Sequence, residues 1–136
     1  MPDTVDAATR SRIMSRVRAK DTGPELTLRR ALWAAGVRGW RCHVRSIVGN
    51  PDLAWRGRKI AVFVDSAWWH GHESRWKPGK LPAWWDNKIQ RNRERDAAVS
   101  EELQTSGWTV VRLWDFDIER DIGGCVRRIC EALSRA

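Results

Sequence analysis

The stretch DLAWRGRKIAVFVD, residues 52–65, decides the fold of this chain. Two apolar runs, LAW and IAVFV, lie on either side of the turn signal RGR, and this pattern predicts a β-hairpin. If the letters GR form the centre of the turn, Asp52 pairs with Phe63, and Asp65 lies two positions further along the same face. Both carboxylates could then reach one cation, whereas a one-residue slip in register would separate them.

The segments around this hairpin predict an α/β protein with a mixed sheet. A capping-box pattern, Thr22-x-x-Glu25, starts the first helix, and Gly36 can end it. Residues 66–83 lack periodicity and predict a long loop, which in a compact domain is often functional. The predicted elements are helices over 23–35, 84–104 and 118–134, and strands over 39–45, 52–56, 59–65 and 108–114. Residues 1–20 predict a basic N-terminal arm, followed by a single domain over 21–136.

The charge balance favours a polyanionic partner. The net charge is +8, with 25 Lys and Arg against 17 Asp and Glu, so nucleic acid is the leading candidate and an anionic membrane surface the alternative. No apolar run approaches the roughly 20 residues that a spanning helix needs, and no signal-like segment follows the N-terminus. We therefore expect a cytoplasmic protein. The three cysteines form no CxxC pair and are expected to be reduced thiols.

The acids at the hairpin ends have two interpretations. On the structural one, Asp52 caps a turn and Asp65 is a solvated strand end. On the functional one, both bind a hard divalent ion such as Mg²⁺, which relieves their repulsion. His70 follows within five residues and can take a proton from water near neutral pH. His72 could be a ligand, a supporting group or an ordinary loop histidine.

The ten tryptophans can serve both the core and stacking on bases. The pairs at 68–69 and 84–85 cannot easily point the same way, so each pair is expected to turn one ring outward. Such rings suit a distorted duplex, where apolar wedges unstack bases.

The second helix has an apolar stripe interrupted by Asn92 and Asp96. Both can lie where the stripe passes the sheet edge and meets solvent. Alternatively, Lys88 and Asn92, one turn apart, read base edges from a groove. The arginines of this helix, at 91, 93 and 95, suit phosphate contacts or a solvated face.

Five stretches together carry a specific resemblance that covers nearly the whole chain. They are ATRSRIMSRVRAKDTGPE, GNPDLAW, VFVDSAWWHGH, WDNKIQRNRERD and GWTVVRLW. In this order and spacing they resemble the very short patch repair (Vsr) endonuclease family. The resemblance implies a restriction-endonuclease-like three-layer fold and a Mg²⁺-dependent nuclease that nicks one strand at T:G mismatches arising from 5-methylcytosine deamination.

The resemblance also implies roles for individual residues. Asp52 matches the family's catalytic, metal-binding aspartate, and His70 matches its general base. Glu25 matches a functional glutamate, although it also completes the capping box. Asp65 falls where a second active-site residue lies, a histidine in some relatives. Either Asp65 or the Val64 carbonyl is expected to help Asp52 bind one or two Mg²⁺ ions. The positions that wedge into DNA are matched by Trp68, Trp69 and Trp85. The positions that engage the mismatch or the neighbouring groove are matched by Met14, Lys88 and Asn92.

The chain departs from the family at a structural zinc site. Relatives of the best-known type bind zinc through cysteines and a histidine around the long loop. Those cysteine positions are taken here by Ala67, Ser74 and Phe116. Only His72 remains, and because four-coordinate zinc needs a full ligand set, we expect no structural zinc. The loop is expected to be held by packing through Trp76 and Trp114.

Two other functions stay open at this point. One is a sequence-specific nickase or restriction endonuclease on the same scaffold, and the other is a non-catalytic DNA-binding protein whose acids serve only the fold. A nick in one strand needs one active site, so a monomer is expected. The resemblance further implies a bacterial, nucleoid-associated protein that cooperates with mismatch-repair proteins, and excludes a membrane partner.

Overall fold

The computed structural model describes residues 21–73 and 76–136, which form a mixed four-stranded sheet with helices on both faces. The strands lie in the order β1-β2-β3-β4, with β1, β2 and β3 antiparallel and β3 and β4 parallel. The elements are α1 (Gly23–Ala34), β1 (Arg41–Cys42), β2 (Leu53–Trp55), β3 (Ile60–Asp65), α2 (Ala83–Thr105), β4 (Thr109–Trp114), α3 (Asp115–Arg120) and α4 (Ile122–Arg135). The basic arm predicted over 1–20 lies outside the described residues.

The hairpin has the predicted register. Leu53 pairs with Val62 and Trp55 with Ile60, so Asp52 stands opposite Phe63. A short 3₁₀ helix over Arg56–Arg58 makes the turn. The register therefore carries Asp52 to the same end of the sheet as the last residues of β3.

Two apolar layers enclose the sheet, as the alternation of side chains along the strands requires. One core lies between the sheet and α1, α3 and α4, with fully buried Leu32 and Ile129 at its centre. The other lies on the opposite face, where Phe63 packs with Leu103 of α2. The predicted α/β class, with a mixed central sheet between helical layers, is confirmed, and it is consistent with a restriction-endonuclease-like fold.

The structure differs from the predicted elements in two places. The first strand has two residues instead of seven, because Gly39 and His43 adopt positive φ values of 93° and 49° that interrupt an extended chain. The closing helix starts at Asp115 and breaks at Asp121, whose φ of −144° is not helical. The Asp121 carboxylate then accepts a hydrogen bond from Gly124 N–H, 3.1 Å away, and caps α4.

Candidate active site

A cleft of about 820 Å³ opens at the end of the sheet where β3 terminates. The start of α1, the start of β2, the segment after β3 and the middle of α2 contribute to its walls. Six of the residues singled out from sequence line it: Glu25, Asp52, Asp65, Trp69, His70 and Asn92. Trp68, Trp85 and Lys88 lie outside this lining, and Met14 lies outside the described residues.

Asp52 is mostly buried, with the Val64 backbone N–H and the Glu25 carboxyl group as its hydrogen-bond partners. Its Oδ2 accepts a hydrogen bond from Val64 N–H at 2.6 Å. Burial and the hydrogen bond with Glu25 raise the pKa of Asp52 to about 8, against the opposing effect of the Val64 N–H. The charges of Glu25 and Asp65 act in the same upward direction. Burial and the neighbouring Glu25 therefore favour the protonated form of Asp52.

Glu25 serves the helix and the site at once. Its side chain is buried, and Oε2 accepts the Thr22 backbone N–H at 2.9 Å, one half of the predicted capping box. The same carboxyl group is the hydrogen-bond partner of Asp52. The two interpretations of Glu25 are thus compatible, because the start of α1 aims its first turn into the cleft.

His70 stands between two acids in the other half of the cleft. Its Nδ1 contacts Asp96 Oδ2 and lies 3.7 Å from Asp65 Oδ1. Burial lowers the pKa of His70, but the hydrogen bond with Asp96 and the charge of Asp65 outweigh it, so the pKa is raised. Both contacts engage Nδ1, which leaves Nε2 as the ring nitrogen that can take a proton from water.

Arg112 of β4 ties this half together. Its Nη1 donates to Asp65 Oδ1 at 3.0 Å and to Oδ2 at 3.3 Å. The same Nη1 lies 3.9 Å from Asp96 Oδ1, and Nη2 donates to the Asp96 carbonyl oxygen at 3.1 Å. Burial raises the pKa of Asp65, while the charges of His70 and Arg112 oppose this.

Asp96 and Arg112 were not assigned to the site from sequence. The sequence does mark Asp96 as unusual, because it interrupts the apolar stripe of α2, but exposure to solvent explains this interruption equally well. No sequence feature indicates a role for Arg112, since a single arginine in the strand TVVRLW is typical of an outward-facing position. Only the parallel pairing of Phe63 with Arg112 shows that this side chain points toward Asp65.

The donor set fits a divalent cation. In the described residues, two groups of side chains bring their ligand atoms within 4.8 Å of one another. They are Asp21, Glu25 and His43, and Asp65, His70 and Asp96. Asp52 adjoins the first group, since His43 Nδ1 lies 3.9 Å from its Oδ1 and Glu25 is its hydrogen-bond partner. Hard carboxylate oxygens that repel one another in a cleft suit a cation such as Mg²⁺.

The tryptophan pairs are divided between surface and interior. Trp84 is 58% exposed, as the expectation of one outward ring requires. Its ring nevertheless stacks on that of Trp85 with centroids 4.3 Å apart, so the expectation that the two rings point different ways is wrong for this pair. Trp69 is only 4% exposed and packs against Trp85 at 5.5 Å, while Trp68 is half-buried. Lys88 Nζ lies 5.0 Å from the Trp69 ring centroid. The pair at 68–69 thus turns its less buried ring, Trp68, toward the surface.

Asn92 contacts the long loop directly. Its Nδ2 donates to the carbonyl oxygen of Trp69 at 3.0 Å, and its Oδ1 accepts from Arg95 Nη2 at 2.9 Å. Asn92 therefore fastens the loop to α2, and these hydrogen bonds must be exchanged for any contact of the same atoms with a base.

Aromatic packing holds the remainder of the loop. The His72 ring lies edge-on to Trp114 and to Phe116, with centroids 4.7 Å from each. Trp76 is buried, and its Nε1 donates to Asp86 Oδ1 at 3.0 Å. The expectation that Trp76 and Trp114 pack the loop agrees with these contacts.

Comparison with known proteins identifies the family. The sequence matches the family described as DNA mismatch endonuclease Vsr over residues 2–76. The chain belongs to the Vsr family. A Vsr relative named type II nicking enzyme V.NmeDIP, from Neisseria meningitidis serogroup C, is 34% identical over 134 residues, covering 96% of this chain and 90% of its own.

Two further relatives support the assignment. Type II nicking enzyme V.HpaIIP of Haemophilus parainfluenzae is 40% identical over 104 residues, with 73% of this chain and 72% of the relative covered. The DNA mismatch endonuclease Vsr of Escherichia coli (strain K12) is 33% identical over 119 residues, with 85% and 74% covered. The chain is accordingly a DNA endonuclease of the Vsr family. None of the helices in the described part combines the length and apolarity that a bilayer crossing requires.

Proposed function

We propose that this Vsr-family endonuclease nicks one strand of duplex DNA at T:G mismatches with the help of Mg²⁺. The observation that carries the proposal is the meeting of Asp52 and Glu25 with Asp65, His70 and Asp96 in one cleft. The description of the family as a DNA mismatch endonuclease supports the choice of substrate.

Asp52 is the proposed principal ligand for Mg²⁺, with Asp65 as a second carboxylate and Glu25 beside it. A bound Mg²⁺ would supply Lewis-acid stabilisation of negative charge on the scissile phosphate. Within the chain, the Val64 N–H orients Asp52 through its hydrogen bond to Oδ2. Deprotonation of Asp52 is the step that prepares this half of the cleft, because a protonated carboxyl group is a poor ligand.

His70 is the proposed general base. Asp96 fixes the ring through Nδ1, so Nε2 accepts the proton of the attacking water as the water oxygen bonds to phosphorus and the P–O bond to the leaving oxygen breaks. An acid that holds the imidazole in one tautomer and stabilises its cationic form recurs in His-dependent hydrolases.

The proposed DNA contacts surround the cleft. Wedging beside the mismatch is assigned to Trp68, Trp69 and Trp85. Contact with the mismatch or the adjacent groove is assigned to Met14, Lys88 and Asn92. Arginines on the exposed face of α2, at 91, 93 and 95, are suited to phosphate oxygens.

A second candidate is a sequence-specific nickase that cuts fully paired DNA. The observation in its favour is that V.NmeDIP and V.HpaIIP carry the name type II nicking enzyme. We place it second because a wedge of tryptophans has no use on a duplex that needs no opening. Equal nicking of paired and mismatched duplexes would favour it.

A denaturing-gel assay tests the proposal. One labelled duplex carries either T:G or T:A at a single position, with Mg²⁺ or EDTA, and wild type is compared with Asp52→Ala. We expect a Mg²⁺-dependent nick confined to T:G and lost in the variant, while DNA binding remains. Asp117→Ala, an acid-to-alanine change outside the cleft lining, is the matched control. Wild-type nicking by Asp52→Ala would refute the role of this acid.

A second assay tests the wedge. Replacing Trp68 and Trp69 together by Ala should lower the ratio of affinities for T:G and T:A duplexes about tenfold or more, since stacking contributes about 1–3 kcal/mol per base. Trp33→Ala removes a 59% exposed ring outside the cleft lining and serves as the control. An unchanged ratio in a folded double variant would contradict the wedge.

The proposed enzyme acts as a monomer in the bacterial cytoplasm, at the nucleoid, and cooperates there with mismatch-repair proteins. One cleft contains a complete set of proposed reacting groups, which supports the monomer. Light scattering of the protein with and without a mismatched duplex gives the number of protein chains in the free particle and in the DNA complex.

A further inference from the structure

Six acids line the cleft, and four of them, Glu25, Asp52, Asp65 and Asp96, form two pairs with different surroundings. Glu25 and Asp52 form a carboxyl pair, with His43 as a neighbour. Asp65 and Asp96 instead flank a permanent cation, the guanidinium of Arg112. The second pair, together with His70, has its ligand atoms within 4.8 Å, close enough to hold a divalent ion of its own.

Arg112 is anchored on every side. Its guanidinium carbon lies 4.2 Å from the Phe63 ring centroid, and Nε donates to Ser100 Oγ at 2.7 Å. The remaining nitrogens donate to both oxygens of Asp65 and to the Asp96 carbonyl. A guanidinium with its donors engaged and its face on an aromatic ring is a fixed charge, and arginine does not lose its proton in proteins.

The position of this charge is set by the sheet. Arg112 pairs with Phe63 across the parallel β3–β4 ladder, and Asp65 follows two residues later in β3. Because side chains two residues apart share a face, the cation and the acid lie on the face toward α2, which supplies Ser100 and Asp96. Strand pairing therefore places the cation among these acids before any ion arrives.

We propose that Arg112 is a built-in cation that takes the role of a second divalent ion, so that the cleft binds a single Mg²⁺, beside Asp52. This rests on the proposed function. Asp65 then lies between two positive charges, the ion on the Asp52 side and the guanidinium on the Asp96 side. Arg112 is a positioning residue, because it acts on the reaction through Asp65 and through the Asp96 that fixes His70.

Charge balance supports one ion. Asp65 and Asp96 contribute two negative charges when both are ionised, and the Arg112 guanidinium, which lies beside both, already offsets one of them. A second divalent ion among Asp65, His70 and Asp96 would meet the guanidinium at close range, and like charges in a partly buried cleft repel strongly.

The test counts bound ions directly. Mn²⁺, which can substitute for Mg²⁺ at oxygen ligands, is titrated into metal-free wild type, and the free ion is measured by electron paramagnetic resonance. We expect one ion per chain in wild type and in Arg112→Lys, which keeps the charge. Arg112→Gln should bind a second ion. The affinity for this second ion should be at least tenfold higher than the affinity of wild type for a second ion. Arg127→Gln, the loss of an exposed positive charge on α4, should bind one ion.

The outcomes separate the inference from the function on which it rests. Two ions of similar affinity in wild type would overturn the role of Arg112, and so would a single ion in a folded Arg112→Gln. Should Arg112→Gln fail to fold, as judged by circular dichroism, the wild-type count still decides. Absence of binding to wild type, or one ion still bound by Asp52→Asn, would instead contradict the proposed metal site. A T:G nick with two ions in wild type would uphold the proposed function and refute this inference alone.

Discussion

Asp52 holds its proton because folding places it beside Glu25 and away from water. Its folded pKa of about 8 exceeds the ordinary value of 3.8, so the folded state binds more protons than the unfolded state between these values. The free energy of unfolding of the metal-free protein therefore falls as pH rises toward 8. Without a bound cation, the buried Asp52 therefore lowers the free energy of unfolding as the pH rises.

Asp52→Asn should consequently stabilise the metal-free protein. The amide cannot ionise and still offers an oxygen to the Val64 N–H, so we expect a gain of up to about 5 kcal/mol at pH 8 and little at pH 4. Urea unfolding in EDTA at both pH values measures it, with Asp117→Asn as the control. A variant less stable than wild type at pH 8 would contradict the linkage.

Asp96→Asn should move the pH dependence of nicking. The change removes the negative charge that helps to raise the pKa of His70 and leaves only a neutral amide beside the ring, so the ring loses its proton at lower pH. The acid limb of the single-turnover rate should shift to lower pH, while the maximal rate falls about 10- to 100-fold as the ring loses its orientation. Glu94→Gln, the same chemical change on the exposed face of α2, leaves the profile unchanged. A shift to higher pH would refute the assigned role of Asp96.

The sequence predicts those site residues that lie close to one another along the chain. Asp52, Asp65 and His70 belong to one hairpin and the turn after it, so pairing rules alone bring them to one end of the sheet. Asp96 and Arg112 come from α2 and β4, and their meeting with Asp65 depends on a parallel pairing that local pattern does not encode. Long-range contacts of this kind are set by packing of whole elements.

At the scale of elements, the long loop reaches its position through a close approach to α2. A Cβ on Gly71 would lie 2.6 Å from Arg93 Cδ and 2.8 Å from Ile89 Cγ2. The neighbouring His70 thus keeps its place because residue 71 has no side chain. The sequence predicted the loop and its ends, but the closeness of this contact appears only in three dimensions.

Gly71→Ala should destabilise the loop and reduce nicking. Overpacking costs about 1–3 kcal/mol in well-packed regions, and the φ of +68° adds strain. Gly79→Ala is the matched control, since Gly79 lies in the same loop with φ +86°, but a Cβ added there would have no atom within 4 Å. Comparing the thermal unfolding and the nicking rate of the two variants separates the effect of the steric clash from that of backbone strain. Equal effects of the two changes would show that backbone conformation alone matters.

The break between α3 and α4 illustrates why the last helix was predicted as one. Apolar residues from Ile118 to Leu133 keep a helical period across Asp121, because both helices bury the same face against the sheet. Asp121 interrupts the hydrogen bonding without interrupting that pattern, and it caps the second helix through Gly124 N–H. Periodicity reports which face is buried and does not report whether the backbone is continuous.

Across the whole molecule, an acidic cleft lies in a protein of net charge +8. The acids attract a cation, while the basic surface attracts phosphates. Five basic residues of the N-terminal segment belong to this basic total: Arg10, Arg12, Arg16, Arg18 and Lys20. The sequence predicted this overall balance correctly, because it needs only a count of charges.

Replacing these five residues together by Gln should weaken DNA binding and its dependence on salt. Each lost phosphate contact reduces the slope of log affinity against log salt by about 0.9, so the slope should fall by up to about 4.5. Fluorescence anisotropy with a T:G duplex between 50 and 200 mM salt measures it, and the same residues changed to Lys or Arg serve as a control. An unchanged slope would show that the segment does not contact the backbone.

Trp69 already packs against Trp85, so any base that it is to contact must compete with a ring inside the protein. Leaving that contact forfeits an aromatic pair of about 0.5–1.5 kcal/mol together with the burial of the indole. The exchange is favourable only where the base stack of the DNA is weak, as it is beside a mispair, and unfavourable where bases are well paired. In its proposed role as a wedge, Trp69 therefore has an energetic threshold for insertion, which we expect intact DNA not to reach.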